Sequence, residues 1–202
     1  MESVLRFRRF LEAPPPPPPA ERCEFCDLPI GETHSHVVGL EKRELLCVCR
    51  ACYLLFTTAG AAQGKYRAVG DRYTHEPELV LTEAQWEEFQ IPVGIAFFFH
   101  NSIQNRAVAL YPSPAGATEA VLPGAAWQDV VRANPVLQSL EADIEALLVS
   151  RLPGRRDAFI IPIDACYELV GKIRRHWRGF SGGERAWSEI AEFFASLSEK
   201  AL

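Results

Sequence analysis

The sequence lacks a long uninterrupted hydrophobic run. Its longest apolar stretch, residues 91–99, contains Pro92 and Gly94 and is far shorter than the roughly 20 apolar residues that a helix needs to cross a bilayer. We therefore expect no membrane span. The chain begins Met-Glu-Ser without the apolar core that a signal peptide requires, so we expect a cytoplasmic protein.

A strong excess of charge of one sign is also missing. The chain of 202 residues has 21 Lys and Arg against 26 Asp and Glu, a net charge of -5. Residues 21–72 are balanced, with seven acidic and seven basic side chains. Proteins that bind nucleic acids usually carry a basic surplus that neutralises phosphates. We therefore expect no nucleic-acid partner.

The sequence contains no recognisable catalytic motif. Asp164, Glu168 and His176 could act as acids or bases, but Asp164 is explained as the N-terminal cap of a helix. Glu168 and His176 flank the solvated face of the same predicted helix. Cys166 falls on its apolar stripe, where a buried and unreactive thiol is expected. The sequence therefore predicts a protein without enzymatic activity.

Cysteine, in contrast, is concentrated in one segment. Five of the six cysteines lie within residues 23–52, and in a cytoplasmic protein such a cluster favours metal ligation over disulfide bonds. Two pairs have the Cys-x-x-Cys spacing, which supplies two thiolates from one tight turn and suits a tetrahedral structural site. The predicted ligands are Cys23, Cys26, Cys49 and Cys52.

The identity of the metal and one ligand stay open at this point. Cys47 or His36 could replace one of the four cysteines, or His36 could donate a hydrogen bond to a thiolate. A second metal bound by His34, His36 and Cys47 is a further alternative, although nothing marks a fourth ligand. Zinc is expected because closed tetrathiolate sites are mostly structural zinc sites. Iron, in a rubredoxin-like site or a cluster, is the alternative because it uses the same ligands.

The segment between the cysteine pairs has the pattern of a β-hairpin. Two strand-like runs are separated by Glu-Lys-Arg-Glu at residues 41–44, which predicts a turn. With the tip at residues 42–43, His36 faces Cys49 across the hairpin. The alternation of side chains then places four chemically active residues on one face: His34, His36, Cys47 and Cys49.

The remainder of the chain predicts an α+β domain. Residues 95–99 and 107–111 are typical of buried strands, residues 145–150 favour a third, and residues 159–163 predict a strand at the sheet edge, where Pro162 is tolerated. Residues 112–124 are predicted to form a loop. Four helices are also indicated: one after the capping box at Thr82, one around residues 127–132, one after Asp164 and one after a second capping box at Ser181.

These patterns divide the chain into three parts. Residues 1–20 form a flexible arm with a polyproline linker, residues 21–71 a Cys-rich metal-binding ribbon, and residues 72–202 the α+β domain. The predicted fold is therefore α+β: a small zinc-ribbon or rubredoxin-like N-terminal module, followed by a mixed domain with a small antiparallel sheet and two C-terminal helices.

Several blocks of the sequence are specific enough to suggest a relationship. They are Cys23-Glu24-Phe25-Cys26, His34-Ser35-His36, Cys47-Val48-Cys49-Arg50-Ala51-Cys52, residues 91–99, residues 111–119 and His176-Trp177-Arg178-Gly179. In these blocks, which fall within residues 22–194, the chain resembles a bacterial family encoded beside the genes of high-affinity uptake [NiFe]-hydrogenases.

The resemblance implies a role rather than an activity. It suggests a non-catalytic accessory or maturation factor with a Cys-rich ribbon, which binds a hydrogenase subunit or a maturation protein. The alternative is a rubredoxin-like one-electron carrier that serves the hydrogenase. The resemblance supplies no functional residues beyond the cysteine cluster.

Overall fold

A computed structural model of the chain describes residues 21–113, 115–179 and 182–201. The predicted arm at residues 1–20 and the predicted helix cap Ser181 lie outside these ranges. Within them, nine strands and five α-helices form a mixed α+β structure with two antiparallel sheets. The predicted α+β class is confirmed. No helix in the described ranges has the length and apolar character needed to cross a membrane.

The elements follow one another along the chain from the ribbon to the C-terminal helices. The strands are β1 (Ser35–Gly39), β2 (Glu44–Val48), β3 (Tyr66–Ala68), β4 (Thr74–His75), β5 (Ile95–Asn101), β6 (Arg106–Ser113), β7 (Gly116–Ala120), β8 (Glu145–Leu152) and β9 (Arg155–Pro162). The helices are α1 (Arg50–Leu54), α2 (Glu83–Glu88), α3 (Gly124–Ala133), α4 (Ile163–His176) and α5 (Gly183–Lys200).

The smaller sheet has three strands in the order β2-β1-β3. The predicted hairpin forms, but its predicted register is wrong by two residues, because His36 lies opposite Cys47 and not Cys49. The connection spans residues 40–43, and the Leu40 N–H bonds to the Lys65 carbonyl 3.0 Å away instead of pairing with β2. A slip of two residues leaves every side chain on its predicted face, since side chains alternate along a strand.

The larger sheet has six antiparallel strands in the order β4-β9-β8-β5-β6-β7, so the expectation of a small sheet is wrong. Two strands were not predicted, and one of them, β7, lies inside the predicted loop at residues 112–124. There Pro112 pairs with Ala117 and Ser113 with Gly116 in a tight hairpin. Pro112 and Gly116 therefore belong to paired strands and not to an unpaired connection.

The strand that carries Pro162 is not at the sheet edge. It pairs along its length with β8 and is covered on its other side by the two-residue strand β4. Pro162 is tolerated because it is the last residue of β9 and the N-terminal cap of α4. The missing proline N–H therefore falls where the ladder already ends.

Both faces of the larger sheet are buried, which explains why its central strands are continuously apolar. On one face, Phe97 and Phe159 pack with side chains of α4 and α5. On the other face, Phe98 belongs to a second cluster with α3 and the segment that follows α2. The ribbon joins the first of these cores through Val38 and Leu40.

Candidate metal centre

The first cysteine pair lies in a tight turn before β1. The Cys23 N–H donates to the Leu28 carbonyl at 2.8 Å, and the Asp27 N–H donates to the Cys23 carbonyl at 2.8 Å. Asp27 adopts a left-handed conformation with φ of 61°, and its carboxylate accepts a hydrogen bond from Arg22 at 2.7 Å. These contacts bend the chain so that both sulfurs of the pair lie on one side.

The second pair lies at the start of α1. Cys49 is the N-terminal cap of this helix, and its sulfur accepts a hydrogen bond from the Cys52 N–H at 3.5 Å. The first helical turn brings the two side chains together, because residues three apart share a helix face. The first turn of α1 is therefore capped by Cys49 and also places the thiols of Cys49 and Cys52 side by side.

A backbone clamp holds the two turns against each other. The Glu24 N–H donates to the Cys47 carbonyl at 3.0 Å, and the Cys47 N–H donates to the Glu24 carboxylate at 2.6 Å. Cys47 lies two residues before Cys49, the first cysteine of the second pair. The clamp therefore fixes the distance between the first and the second pair.

The four predicted ligands come together in one cluster. The sulfurs of Cys23, Cys26, Cys49 and Cys52 all lie within 4.8 Å of one another. The Cys26 and Cys49 sulfurs are 3.7 Å apart, too far for a disulfide bond of about 2.05 Å, and all four thiols are free. Four thiols in this arrangement could bind one metal ion.

The cluster is not uniformly buried. Cys23 is 2% exposed, Cys52 is also buried, Cys49 is half-buried and Cys26 is exposed. The protein thus surrounds the centre on most sides, while one thiol lies at the surface.

The thiols differ in how readily they ionise. Burial opposes ionisation of Cys23, but hydrogen bonds from backbone N–H groups and from the Cys26 thiol outweigh it and lower the pKa of Cys23 to about 6. Burial, together with the neighbouring thiols, raises the pKa of Cys52 to about 12. Binding of a cation to all four sulfurs therefore displaces protons from the less acidic thiols.

Cys47 and His36, the alternative ligands, lie outside this cluster. With His34 they form a second group, whose ligand atoms also lie within 4.8 Å of one another. The structure therefore separates the spare cysteine and the two histidines from the four thiols. The corrected hairpin register explains the grouping, because His36 faces Cys47 directly.

Asp164 has a different role from the one predicted. Helix α4 begins at Ile163 with Pro162 as its cap, so Asp164 is in the first turn and is not the capping residue. Its carboxylate lies 2.7 Å from Nδ1 of His36. The two residues are 128 positions apart, and no local pattern could have indicated this contact.

Cys166 is buried as the sequence predicts. It is fully enclosed in the core beside α5, and burial raises the pKa of its thiol well above the ordinary value. A thiol that is neither accessible nor ionised is unreactive.

Exposed apolar side chains surround the four-cysteine cluster in the sequence. Phe25 stands between the first two cysteines and Leu28 follows them, while Leu54 and Leu55 close the helix that begins at the second pair. The ring of Phe25 lies 5.0 Å from that of Phe56, which connects the two turns at the surface. We call these four exposed side chains, which adjoin the cysteines in the sequence, the apolar rim: Phe25, Leu28, Leu54 and Leu55.

Fold and site together define a class: a mixed α+β protein in which two Cys-x-x-Cys turns on a three-stranded sheet bring four thiols together. The chain belongs to the Family of unknown function (DUF5947), whose profile matches residues 22–201. Comparisons with curated proteins and with solved structures give no match.

Proposed function

We propose that this protein is a non-catalytic accessory or maturation factor for a [NiFe]-hydrogenase, with a structural zinc ion in its four-cysteine centre. The hydrogenase part of the proposal is supported by the resemblance of several sequence blocks to the hydrogenase-associated family. The apolar rim is the observation that carries the binding role.

Zinc suits the centre because the ligand set is complete without water or substrate. Four thiolates fill a tetrahedral coordination sphere, as in closed structural zinc sites. Two of them, Cys23 and Cys52, are buried, and the pairs are held by turn and cap hydrogen bonds. In this proposal the ion stabilises the two turns and thereby the surface that they carry.

The apolar rim is the proposed docking surface. Phe25, Leu28, Leu54 and Leu55 are large apolar side chains left in contact with water, and exposed apolar side chains that form one patch often mark protein interfaces. They are carried by the two turns that the metal would fix. A hydrogenase subunit or one of its maturation proteins is the proposed occupant.

Co-purification tests this proposal. The tagged full chain should recover a hydrogenase subunit or maturation protein from its native host, and a Leu28→Ser, Leu55→Ser double variant should recover at least tenfold less. Val121→Ser is the matched control, since Val121 is 85% exposed against 66% for Leu55 but lies in the larger domain. If the wild-type chain recovers no hydrogenase component and its deletion leaves hydrogenase activity intact, the proposal is wrong.

A rubredoxin-like one-electron carrier that serves the hydrogenase is the second candidate. The exposure of Cys26 favours it, because a surface thiolate gives electrons a short path between the metal and a docked partner. This candidate requires bound iron and therefore a coloured protein with reversible redox behaviour. Elemental analysis and an absorption spectrum of protein purified without added metal decide it. A colourless protein with one zinc ion per chain would exclude the carrier.

A further inference from the structure

We propose that His34, His36 and Cys47 form a second metal site, which binds an exchangeable divalent transition-metal ion and leaves its fourth coordination position open. This site is separate from the four-cysteine centre and does not depend on the hydrogenase proposal.

His34 presents a nitrogen that has no protein partner. Its Nδ1 lies 2.9 Å from the Gly31 carbonyl and 3.3 Å from the Glu21 carboxylate, and both can only accept. In the neutral imidazole Nδ1 therefore carries the proton and Nε2 has a free lone pair. Nε2 is buried without a hydrogen-bond partner, and the side chain is only 10% exposed. Buried polar atoms of this kind are rare and require an explanation such as an ion.

His36 is oriented in the same way. Its Nδ1 lies 2.7 Å from the Asp164 carboxylate, so its Nε2 is also the nitrogen left for a ligand. The two rings are 4.8 Å apart between centroids. A histidine that binds a metal almost always donates its other ring N–H to a carboxylate or a backbone carbonyl. Here His36 faces a carboxylate, and His34 faces a backbone carbonyl and a carboxylate.

Cys47 supplies the third ligand. It lies directly opposite His36 in the hairpin, and the ligand atoms of His34, His36 and Cys47 are all within 4.8 Å of one another. The Cys47 N–H donates to the Glu24 carboxylate at 2.6 Å, and the Glu21 carboxylate lies beside the ring of His34. Their negative charge favours a cation at this position.

Two imidazoles and one thiolate define the kind of ion. Imidazole suits zinc, copper, iron and nickel, and thiolate excludes hard ions such as magnesium and calcium. Three protein ligands with a vacant fourth position are typical of reactive or exchangeable sites, whereas closed structural sites have four. We infer that water or a donor group from a bound molecule completes the sphere.

The hydrogen bond between His36 and Asp164 connects the second site to helix α4. His34 and His36 belong to the ribbon, whereas Asp164 is in the first turn of α4. Asp164 is a positioning residue, because it orients His36 without contacting the ion. Occupation of the site would therefore strengthen the contact between ribbon and domain.

Metal stoichiometry tests the proposal on the full chain. After equilibrium dialysis against zinc, elemental analysis should find two ions per wild-type chain, one of which exchanges readily with cobalt. His34→Gln and Cys47→Ser should each retain one ion, the ion of the four-cysteine centre, which also reports that the ribbon is folded. His100→Gln and Cys166→Ala are the matched controls and should retain both ions.

Asp164→Asn provides a test that keeps all three ligands. The second ion should still bind at high zinc concentration, with an affinity lowered by about 10–100-fold, the usual effect of removing a partner of a metal-binding histidine. The proposal is overturned if saturated wild-type protein holds only one ion. It is equally overturned if the second ion persists unchanged in both His34→Gln and Cys47→Ser.

Discussion

Cys49 has two functions at the scale of a single residue. Its sulfur caps α1 and belongs to the four-thiol cluster, so one substitution removes a helix cap and a ligand. Serine can still cap the helix, but its hydroxyl is a poor substitute for a thiolate toward a soft metal ion. The substitution therefore separates the two functions.

We predict that Cys49→Ser lowers the affinity of the four-cysteine centre by more than about 100-fold, since loss of a partner outside the ligand set alone costs about 10–100-fold. Competition with a chromogenic chelator measures the change. Cys166→Ala, which also removes a cysteine, should leave the affinity unaltered. Equal affinity in Cys49→Ser and the wild type would show that Cys49 is not a ligand.

Glu119 joins the ribbon to the larger sheet. Its carboxylate accepts hydrogen bonds from Arg106 at 2.6 Å and from Arg43 at 3.3 Å. The bond from Arg106, opposed by partial burial and aided by Arg43, holds the pKa of Glu119 below its ordinary value of 4.5. A lowered pKa stabilises the fold above that ordinary value, and the stabilisation is lost as the pH falls through the lowered pKa.

We therefore predict that Glu119→Gln lowers the free energy of unfolding at neutral pH. The loss should be no more than about 1 kcal/mol, because solvent screens the ion pairs of Glu119 with the two arginines. The Glu119 side chain is 36% exposed. The difference from wild type should shrink to zero in strong acid. Urea unfolding across a pH series measures it, with the exposed Glu87→Gln as control. A difference that persists in acid would contradict an ionic contribution.

At the scale of elements, the larger sheet depends on side chains packed on both of its faces. Phe98 is fully buried in β5, where its ring stacks on Trp127 at 5.1 Å and contacts Phe89 at 5.6 Å. The neighbouring Phe97 belongs to the opposite core. Both faces of the sheet are therefore covered over residues 95–99 of this strand.

We expect Phe98→Ala to lower the free energy of unfolding by about 3–5 kcal/mol, the usual effect of emptying a buried aromatic position. Ile103→Ala, in the exposed turn between β5 and β6, should change it by less than about 0.5 kcal/mol. Denaturant unfolding compares the two. Similar small losses in both variants would mean that this face is not a packed core.

The capping box of α2 could be predicted from the sequence, whereas strand β7 could not. The capping box at Thr82 was predicted and forms, since the Gln85 N–H bonds to the Thr82 hydroxyl at 3.2 Å and the Gln85 side chain accepts from the Thr82 N–H at 2.9 Å. These contacts join residues three positions apart, so the local sequence is enough to predict them. Strand β7 was missed because its pairing with β6, and not its composition, makes it a strand.

At the scale of the whole molecule, the cysteine centre has its own small core. Cys23, Val37, Val48 and Cys52 form a buried cluster distinct from the two cores of the larger sheet. Removal of the metal should therefore loosen the two cysteine turns and α1 before it affects the larger sheet. Regions of a protein can open separately when few buried contacts connect them.

Hydrogen exchange with and without a strong chelator tests this expectation on the full chain. Amide protection should fall in residues 23–28 and 49–56 and persist in β5 and β8. Cys49→Ser should show lower protection in the same two segments without chelator, and added chelator should change these segments less than it does in the wild type. Uniform acceleration across both sheets would instead mean that the metal centre and the larger domain unfold as one unit.

The sequence by itself determined the four-cysteine set, the α+β class and the buried position of Cys166, because each depends on spacing or periodicity within one short segment. Only the tertiary structure decided the hairpin register, the order of the six strands and the meeting of His36 with Asp164. These features depend on hydrogen bonds and packing between segments far apart in the chain, such as Leu40 with Lys65. The proposed second metal site depends on the same kind of contact, since the carboxylate that orients His36 comes from another part of the fold.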